Sequence, residues 1–277
     1  CGIYGKEMRE KMSTKSRLLE LLEQEKGSYL SGEMLAEKLQ VSRTAVWKAV
    51  QSLRQEGYEI QAVTNKGYVL DKASDVLSAE AIRCGLEHPE VTVQVFREIP
   101  STSLAMKQMA LEGGVPHGSV VAANEQTRGK GRKGRKFYSP KDSGLYLSVL
   151  LYPQKTVKES LELTAEAAVA VCRAVEECCK ISLGIKWVND LYLEEKKVCG
   201  ILTEAVTDFE TGDIEFAVIG IGLNLKLPKG GFPEEIQEKA GAVLTEAKSV
   251  DRNRLAAAIV NELLKETEKK GIPQEYI

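Results

Sequence analysis

The hydrophobic pattern of this 277-residue chain changes once, near the polar stretch DKASD at 71–75. Before it, apolar residues recur at the three- and four-residue spacings of short amphipathic helices. After it, runs rich in Val, Ile and Leu that are typical of strands lie between longer helical patterns. The change therefore predicts two domains, a small helical one and a larger one of the α+β class.

These patterns also place the domain boundaries. Residues 1–12 start with Cys rather than Met and are interpreted as leader or added sequence. The first domain is predicted over 13–71, the linker over 72–77 and the second domain over 78–277. Both predicted domains fall within the usual size range of a folding unit.

Three helices and a hairpin are predicted in the first domain. The helices cover 14–25, 31–39 and 42–57, and Ser31 and Ser42 stand at the positions of N-caps. The turn-rich tetrapeptide TNKG then separates two short apolar strands, which is typical of a hairpin wing. Because two helices joined by a short turn form the helix-turn-helix pattern, the first domain is predicted to be a winged helix-turn-helix.

Positive charge is concentrated on the third predicted helix, although the whole chain has a formal net charge of −2. Between Lys38 and Gln55 there are four basic residues and no acidic one. The residues predicted to contact DNA are Ser42, Arg43, Thr44, Trp47 and Lys48 of the third helix and Lys66 at the wing tip. On patterning alone, an amphipathic helix with a solvated face, or a protein-binding module, remains an alternative.

Composition argues against several other classes of protein. No apolar run approaches the roughly 20 residues that cross a bilayer, and the charged stretch KEMREKM is unlike a secretory signal. The six cysteines include no CxxC pair, and together with two histidines they show no zinc-ligand spacing. We therefore expect a reduced, cytoplasmic protein with no membrane association.

The second domain is predicted to hold a mixed, largely antiparallel sheet. Predicted strands lie near 91–96, 119–124, 144–151, 183–188, 198–205 and 214–225. Predicted helices lie near 78–84, 101–113, 159–179, 233–239 and 251–270. Because strands outnumber helices and follow one another directly, this order favours a sheet with helices on one face over a parallel dinucleotide-binding sheet.

A basic, glycine-rich stretch, TRGKGRKGRKFYSP, lies at 127–140, and six of the nine residues from Arg128 to Lys136 are basic. It satisfies G-x-G-x-x-G, but Pro140 and a strand follow it instead of the helix that a dinucleotide-binding motif opens. It also lacks the Lys-Ser/Thr pair of a Walker A motif. What remains is a loop whose backbone N–H groups and cations suit a phosphate-bearing ligand.

Several motifs together resemble one family. GKGRKGR at 129–135 resembles the glycine-arginine signature of biotin protein ligases, and KWVND at 186–190 is similar to the family's Lys-Trp-Pro-Asn-Asp run. CGILTEA at 199–205, IGIGLNL at 219–225 and STS at 101–103 match further blocks in the same order. With the winged helix-turn-helix in front, the chain resembles the subclass that is both biotin ligase and biotin operon repressor, whose catalytic fold is similar to class II synthetases.

The resemblance implies a two-step reaction. The carboxylate of biotin attacks the α-phosphate of ATP, with Mg²⁺ and concentrated positive charge assisting, and leaves biotinyl-5′-AMP. A lysine of a biotin carboxyl carrier protein then attacks this anhydride. The family also implies a homodimer, promoted by biotinyl-AMP, on operator DNA, and no tightly bound prosthetic group.

The resemblance also implies roles for individual residues. Lys186 is the first choice for catalysis, because an unpaired lysine inside an apolar strand would be costly, and Arg132 is the second choice, as the residue that retains the adenylate. The predicted biotin-binding residues are Ser101, Thr102, Ser103, Gln126, Gly129, Lys130, Gly131, Arg132 and Lys186. The predicted adenylate-binding residues are Arg132, Arg135, Phe137, Asn189 and Asn224, and Asp190 is a candidate Mg²⁺ ligand.

For several of these residues a purely structural or solvent-exposed role is the alternative. Lys186 could reach solvent from a strand edge, Arg132 could be a solvated loop residue, and the STS stretch could serve only as a helix cap. For Trp187 we expect a place in the core.

The chain departs from the family pattern at four positions. Lys130 stands in place of arginine, Ser103 in place of asparagine, Val188 in place of proline, and Phe137 in place of the tryptophan of some members. The family usually continues into a small C-terminal β domain; it is expected either to be truncated here or to lie beyond these 277 residues. A biotinoid-sensing repressor without ligase activity and a lipoate-type ligase are the alternative functions.

Overall fold

The computed structural model describes residues 12–156, 159–208, 210–245 and 248–269, together with 271, 273 and 276. The chain divides into two compact units. Unit 1 contains the chain up to Glu90 and the short segment Asp251–Arg254, and unit 2 contains Val91–Val250 and the chain from Leu255 onwards.

Unit 1 is a winged helix-turn-helix with one additional helix. Its elements are α1 (Thr14–Gln24), α2 (Gly32–Leu39), α3 (Arg43–Gln55), β1 (Ile60–Val63), β2 (Gly67–Leu70) and α4 (Ala79–Gly85). Strands β1 and β2 pair antiparallel around the predicted turn. The predicted three helices and hairpin wing are therefore confirmed.

Serine caps and an apolar stripe explain why these helices form where they do. The Ser31 Oγ accepts from the Met34 N–H at 3.1 Å, and the Ser42 Oγ accepts from the Ala45 N–H at 3.2 Å. Gln40 adopts the left-handed conformation, with φ 56°, and so ends α2 and turns the chain toward α3. The fully buried side chains of the unit include Leu18, Leu35, Val46, Val50, Leu53 and Leu70. The helical spacing of Val46, Ala49, Val50 and Leu53 predicts that they form the inward stripe of α3, and all four are buried.

Unit 1 extends beyond the linker predicted at 72–77 and ends at Glu90. Helix α4, which was expected to open the second domain, packs against α1 and buries Ile82 completely. The predicted linker is itself fixed by hydrogen bonds within unit 1. The Arg252 Nε donates to the Asp75 Oδ2 at 2.9 Å, and the Asn253 Nδ2 donates to the Val76 carbonyl at 3.0 Å. These partners lie about 175 residues away in sequence, beyond the reach of local patterns.

Unit 2 is built on a seven-stranded mixed sheet. Its elements in chain order are β3 (Val93–Phe96), α5 (Thr102–Glu112), β4 (Val120–Ala123), β5 (Gly144–Leu151), α6 (Ser160–Cys179), β6 (Gly184–Lys186), β7 (Asp190–Leu193), β8 (Lys196–Thr207), β9 (Ile214–Asn224) and α7 (Arg252–Thr267), of which residues 252–254 belong to unit 1. The strand order is β3-β4-β5-β9-β8-β7-β6, with only the β3–β4 pair parallel. The predicted mixed, largely antiparallel sheet is confirmed.

The centre of the sheet is the core of unit 2. Every residue of β5 is buried, and β9 is buried at all but one of its positions. Such continuous apolar burial requires cover on both faces of these strands. Helix α5 packs on β4, β5 and β9, and helix α6 packs on β7, β8 and β9.

In unit 2, one predicted strand ends earlier than expected and one predicted helix is wrong. The strand predicted at 183–188 is the start of a hairpin, because the chain turns at 187–189 and returns as β7. The helix predicted near 233–239 is a series of turns. That segment follows Pro228, Gly230 and Gly231, residue types that favour turns over a helix.

Among the described residues, no helix is long and apolar enough to cross a membrane.

Candidate functional site

A cavity of about 500 Å³ in unit 2 joins the glycine-rich loop to β7, β8 and the end of β9. Eight predicted site residues line it: Lys130, Gly131, Arg132, Arg135, Phe137, Asn189, Asp190 and Asn224. Among its described lining residues, seven are lysine or arginine and one is acidic. Cations concentrated in a cleft attract a polyanion, so the cavity suits a nucleotide carrying phosphates.

The glycine-rich loop folds back on itself between β4 and β5. The Gly131 N–H donates to the Arg135 carbonyl at 2.8 Å, and the Phe137 N–H donates to the Gly129 carbonyl at 2.9 Å. A Cβ on residue 129 would lie 2.4 Å from the Phe137 carbonyl oxygen, so this position requires glycine. The loop opens no helix of a parallel unit, which confirms that its G-x-G-x-x-G spacing is not a dinucleotide-binding motif.

The ring of Phe137 lies over two glycines of the central sheet. Gly200 of β8 and Gly222 of β9 are register partners. A Cβ on Gly222 would lie 2.4 Å from the Phe137 Cε1, and a Cβ on Gly200 would lie 3.1 Å from its Cε2. The absence of side chains at both positions therefore lets the ring approach the sheet. The result is an aromatic surface among cations, which is a suitable neighbour for a purine ring.

Arg132 is held at the cavity by Asn189. The Arg132 guanidinium donates to the Asn189 Oδ1 at 3.1 Å. Asn189 is itself anchored to β8, because its Nδ2 donates to the Ile201 carbonyl at 2.8 Å and its own carbonyl accepts from the Ile201 N–H at 2.9 Å. The two predicted adenylate-binding residues are thus brought together, and a strand fixes the position of the arginine.

Asn224 ends β9 and borders the same cavity. Its side chain is buried, and its Nδ2 donates to the Gly241 carbonyl at 3.1 Å. This bond ties the segment 232–241, which also borders the cavity, to the end of the central sheet. The observed contact is structural, and the predicted contact with adenine stays a prediction.

The predicted biotin-binding residues at the start of α5 form a buried hydrogen-bond network. The Gln126 Oε1 accepts from the Thr102 N–H at 2.9 Å and from the Thr102 hydroxyl at 3.1 Å, while its Nε2 donates to the Ser139 Oγ at 2.9 Å. A Cβ on Gly129 would lie 3.3 Å from the Gln126 Nε2, so this network adjoins the glycine-rich loop. The network therefore fixes the base of the loop.

Ser101 and Ser103 belong to the same region. The Ser101 Oγ accepts from the Leu104 N–H at 3.4 Å and caps α5, as expected from sequence. The hydroxyls of Ser103 and Ser148 lie 3.0 Å apart, and the Ser148 hydroxyl donates to the Thr102 Oγ1 at 2.8 Å. Ser139 lies in the glycine-rich stretch but outside its GKGRKGR motif, and Ser148 belongs to no predicted motif, since a single serine in a strand gives no local signal.

Lys186 is exposed, so the burial expected for it is wrong. It ends β6, a three-residue strand at the edge of the sheet, where a long side chain reaches solvent. Its Nζ lies 5.0 Å from the centre of the Tyr192 ring. Tyr192 borders the cavity, whereas Lys186 is not among the described lining residues. Its catalytic role stays a prediction.

Trp187 is also exposed, with 68% of its surface accessible, so the core position expected for it is wrong. The reason is the same turn that ends β6, which directs residue 187 away from the sheet. Its ring lies 5.6 Å from that of Tyr276, centre to centre. The pair is an aromatic contact outside the core.

Asp190 is the candidate Mg²⁺ ligand, and it forms an ion pair. Its Oδ1 lies 2.6 Å from the Nζ of Lys197, a cavity-lining residue that belongs to no predicted site. Among the described residues, no group of three His, Cys, Asp or Glu could hold a metal ion. These residues fit an ion bound mainly through nucleotide phosphates, with at most one carboxylate from the protein.

Cys199 lies next to Gly200 in β8, but it is not a nucleophile. Its side chain is fully buried, and burial raises the pKa of its thiol. A protonated, enclosed thiol attacks poorly, because the thiolate is the reactive form.

The predicted DNA-contacting surface lies on α3 and the wing of unit 1. Arg43, Thr44, Trp47 and Lys48 are exposed, and 52% of the Trp47 surface is accessible. Arg43 forms an ion pair with Glu33 at 3.0 Å, but both side chains are solvated, so the pair is weak.

The wing tip carries an exposed cation beside an aromatic ring. Lys66 is exposed, and its Nζ lies 5.4 Å from the centre of the Tyr29 ring. Tyr29, like Glu33, belongs to no predicted site. Exposed cations on α3 and at the wing can contact the phosphates of one DNA duplex.

Comparison with protein families gives a match within each of the two units. Residues 14–69 match the model of the HTH domain, and residues 95–224 match that of the biotin/lipoate A/B protein ligase family. The chain is 36% identical to the bifunctional ligase/repressor BirA of Bacillus subtilis over 256 residues, which are 91% of this chain and 77% of that protein. It is 33% identical to the protein of the same name from Escherichia coli over 238 residues, or 86% and 72% of the two chains.

Two biotin protein ligases of known structure resemble part of this chain. A biotin protein ligase from Aquifex aeolicus in complex with biotin and ATP has a TM-score of 0.54 at 30% identity, over 64% of this chain and 70% of that chain. A biotin protein ligase from Leishmania major in complex with biotinyl-5-AMP has a TM-score of 0.52 at 27% identity, over 64% and 75% of the two chains.

The matched family models identify a ligase unit joined to a helix-turn-helix unit in one chain. The chain belongs to the biotin/lipoate A/B protein ligase family, in its group of bifunctional biotin ligase/repressors.

Proposed function

We propose that the protein activates biotin with ATP to biotinyl-5′-AMP and transfers the biotinyl group to a lysine of a biotin carboxyl carrier protein. The observation that supports this most strongly is the cavity that gathers the glycine-rich loop, Arg132, Asn189 and Phe137. One cavity thus offers an aromatic surface for a base and cations for phosphates.

The first step joins two anions, so its main barrier is electrostatic. A carboxylate oxygen of biotin attacks the α-phosphorus, the bond to the β-phosphate oxygen breaks, and pyrophosphate leaves. The cations of the cavity stabilise the charge that builds up on the phosphoryl oxygens. Mg²⁺, bound with the nucleotide, neutralises part of the phosphate charge.

In the second step the anhydride must stay bound until the carrier lysine arrives. The neutral amine of that lysine attacks the biotinyl carbonyl, AMP leaves, and the amine loses a proton. Arg132, held by Asn189, is positioned to keep the phosphate of the adenylate in the cavity. Retention matters because a released anhydride reacts with water or with any accessible amine.

Transfer can be tested directly. We expect that the full chain, incubated with ATP, Mg²⁺, biotin and the apo form of a biotin carrier domain, adds one biotin to that domain, measured by mass spectrometry. A carrier domain whose target lysine is replaced by arginine is the control and should gain no mass. No added mass on the intact carrier domain would contradict the proposal.

We also propose that unit 1 binds operator DNA and represses biotin genes when biotinyl-AMP is bound. A winged helix-turn-helix places its second helix in the major groove, and two copies bind half-sites about one helical turn apart. A ligand-promoted homodimer is the state that fits such an operator. The proposal places the protein in the cytoplasm, where the carrier domain and the operator are both accessible.

Replacing Lys48 or Arg43 by alanine should weaken operator binding without changing the ligation rate. Each exposed cation on α3 is expected to contribute a phosphate or base contact, so affinity should fall by about 1–3 kcal/mol and the salt dependence should become less steep. Gel shifts at two salt concentrations measure both effects. Lys107→Ala, on α5 of unit 2, removes the same charge outside unit 1 and is the control. An unchanged gel shift in the Lys48 and Arg43 variants would refute the assignment of α3 as the recognition helix.

A further inference from the structure

Lys197 lines the nucleotide cavity but belongs to no predicted site. We propose that its ammonium binds the phosphate chain of the nucleotide and that Asp190 positions it for this contact. The inference rests on the proposed function of the same cavity, because it takes the ligand to be a nucleotide.

The position of the Lys197 ammonium is the first argument. Its Nζ lies 2.6 Å from the Asp190 Oδ1, and the two side chains remain 33% and 27% exposed. A Cβ on Gly200 would lie 3.4 Å from the same Nζ, so the ammonium sits beside the glycine surface that carries the Phe137 ring. It is therefore next to the expected place of the base and still open to the cavity.

The backbone of Lys197 is fixed on both sides, which is the second argument. Its N–H donates to the Lys239 carbonyl at 2.7 Å, and its carbonyl accepts from the Gly241 N–H at 2.9 Å. The facing segment, 232–241, also borders the cavity. A lysine anchored in this way loses less conformational entropy when its ammonium contacts a ligand.

The third argument is that two neighbouring residues each hold one cation. Asn189 holds Arg132, and the next residue, Asp190, holds Lys197. Two consecutive residues of the KWVND motif thus each place one cation at the same cavity. An ammonium has three N–H donors, so Lys197 can keep its ion pair with Asp190 and still donate to phosphate oxygens.

The positive charge of the cavity also explains the role of its acidic residue, Asp190. It is the one acidic residue among the described lining residues, where seven are basic. An isolated carboxylate would repel the phosphates, but paired with Lys197 it is neutralised and instead orients a donor. Asp190 is thus a positioning residue.

The test compares two neighbouring lysines. Lys197→Met keeps the length of the side chain and removes its charge, Lys197→Arg restores a charge, and Lys196→Met is the matched control. The Lys196 ammonium contacts the Glu238 carbonyl, and Lys196 is not among the described lining residues of the cavity. ATP and biotin affinities are measured separately by calorimetry on the full chain, with melting temperatures alongside.

We expect Lys197→Met to weaken ATP binding by about 10- to 100-fold, the usual effect of losing a hydrogen bond to a charged group. Biotin affinity should stay within about twofold, and Lys197→Arg should recover most of the ATP affinity. Lys196→Met should bind ATP as the unmodified protein does. Unchanged ATP affinity in Lys197→Met would overturn the assignment, and so would an equal loss of ATP and biotin affinity, because the latter marks a structural role.

ATP binding is measured without biotin, so this test is separate from that of ligation. If ATP affinity depends on Lys197 but biotin causes no pyrophosphate release, the proposed function is wrong and the assignment of Lys197 stands. If the unmodified protein releases pyrophosphate and Lys197→Met binds ATP normally, the assignment alone is wrong.

Discussion

Replacing Lys186 by alanine is expected to abolish biotin-dependent pyrophosphate release and to leave the free energy of unfolding nearly unchanged. The first expectation follows from the resemblance of KWVND to the family motif, in which this ammonium bridges the biotin carboxylate and the α-phosphate. Losing such a stabilising group costs about 10²- to 10³-fold in rate. The second follows from the structure, because Lys186 is exposed and contacts only the ring of Tyr192 among the interactions described for it. An exposed cation–π contact contributes about 0.5–1 kcal/mol.

The exposure of Lys186 makes this experiment easy to interpret. A buried lysine would confound catalysis with folding, whereas here a loss of activity at an unchanged melting temperature points to the chemistry. The catalytic role predicted for Lys186 requires its ammonium to move from the Tyr192 ring into the cavity that the same tyrosine borders. Glu195→Ala, beyond β7 in the same region, is the control and should keep the normal rate. Full activity in Lys186→Ala would remove the catalytic assignment.

Replacing Arg132 by glycine is expected to let biotinyl-AMP escape, so that lysines of bystander proteins become labelled. The guanidinium is held at the cavity by Asn189 and has no buried packing role. Its loss removes a charge-assisted contact to the adenylate phosphate, which should speed dissociation of the adenylate by about 10- to 100-fold. Radiolabelled adenylate retained through gel filtration, and labelling of an added unrelated protein without carrier domain, measure the effect.

Lys133→Gly is the matched control for Arg132→Gly. Lys133 is the next residue of the same turn and adopts φ 56°, a conformation that glycine takes without strain. The two variants lose the same charge, but only Arg132 is held by Asn189. We therefore expect much less leakage from Lys133→Gly. Tight retention of the adenylate by Arg132→Gly would refute the assignment of Arg132.

Features set by short stretches of sequence could be predicted. The caps at Ser31, Ser42 and Ser101 and the inward stripe of α3 depend on residues within about one turn, and all are confirmed. The order of strands and loops predicted a largely antiparallel sheet, since strands that follow one another directly tend to pair antiparallel.

Features set by distant contacts could not be predicted. Helix α4 joins unit 1 because it packs on α1, and the segment before it is fixed by Arg252 and Asn253 from the other end of the chain. The burial expected for Lys186 followed from the apolar residues around it, but β6 lies at the sheet edge, and strand order is a property of the whole sheet. The role proposed for Lys197 could not be predicted from a motif, because it depends on Asp190 across a hairpin and on a segment about 40 residues later.

The claim that this chain is a biotin-activating ligase is tested most directly by pyrophosphate release. The full chain is incubated with ATP and Mg²⁺ and with either biotin or lipoate, and pyrophosphate is followed over time. We predict release that depends on biotin and does not occur with lipoate. No release with biotin, or release with lipoate alone, would contradict the account.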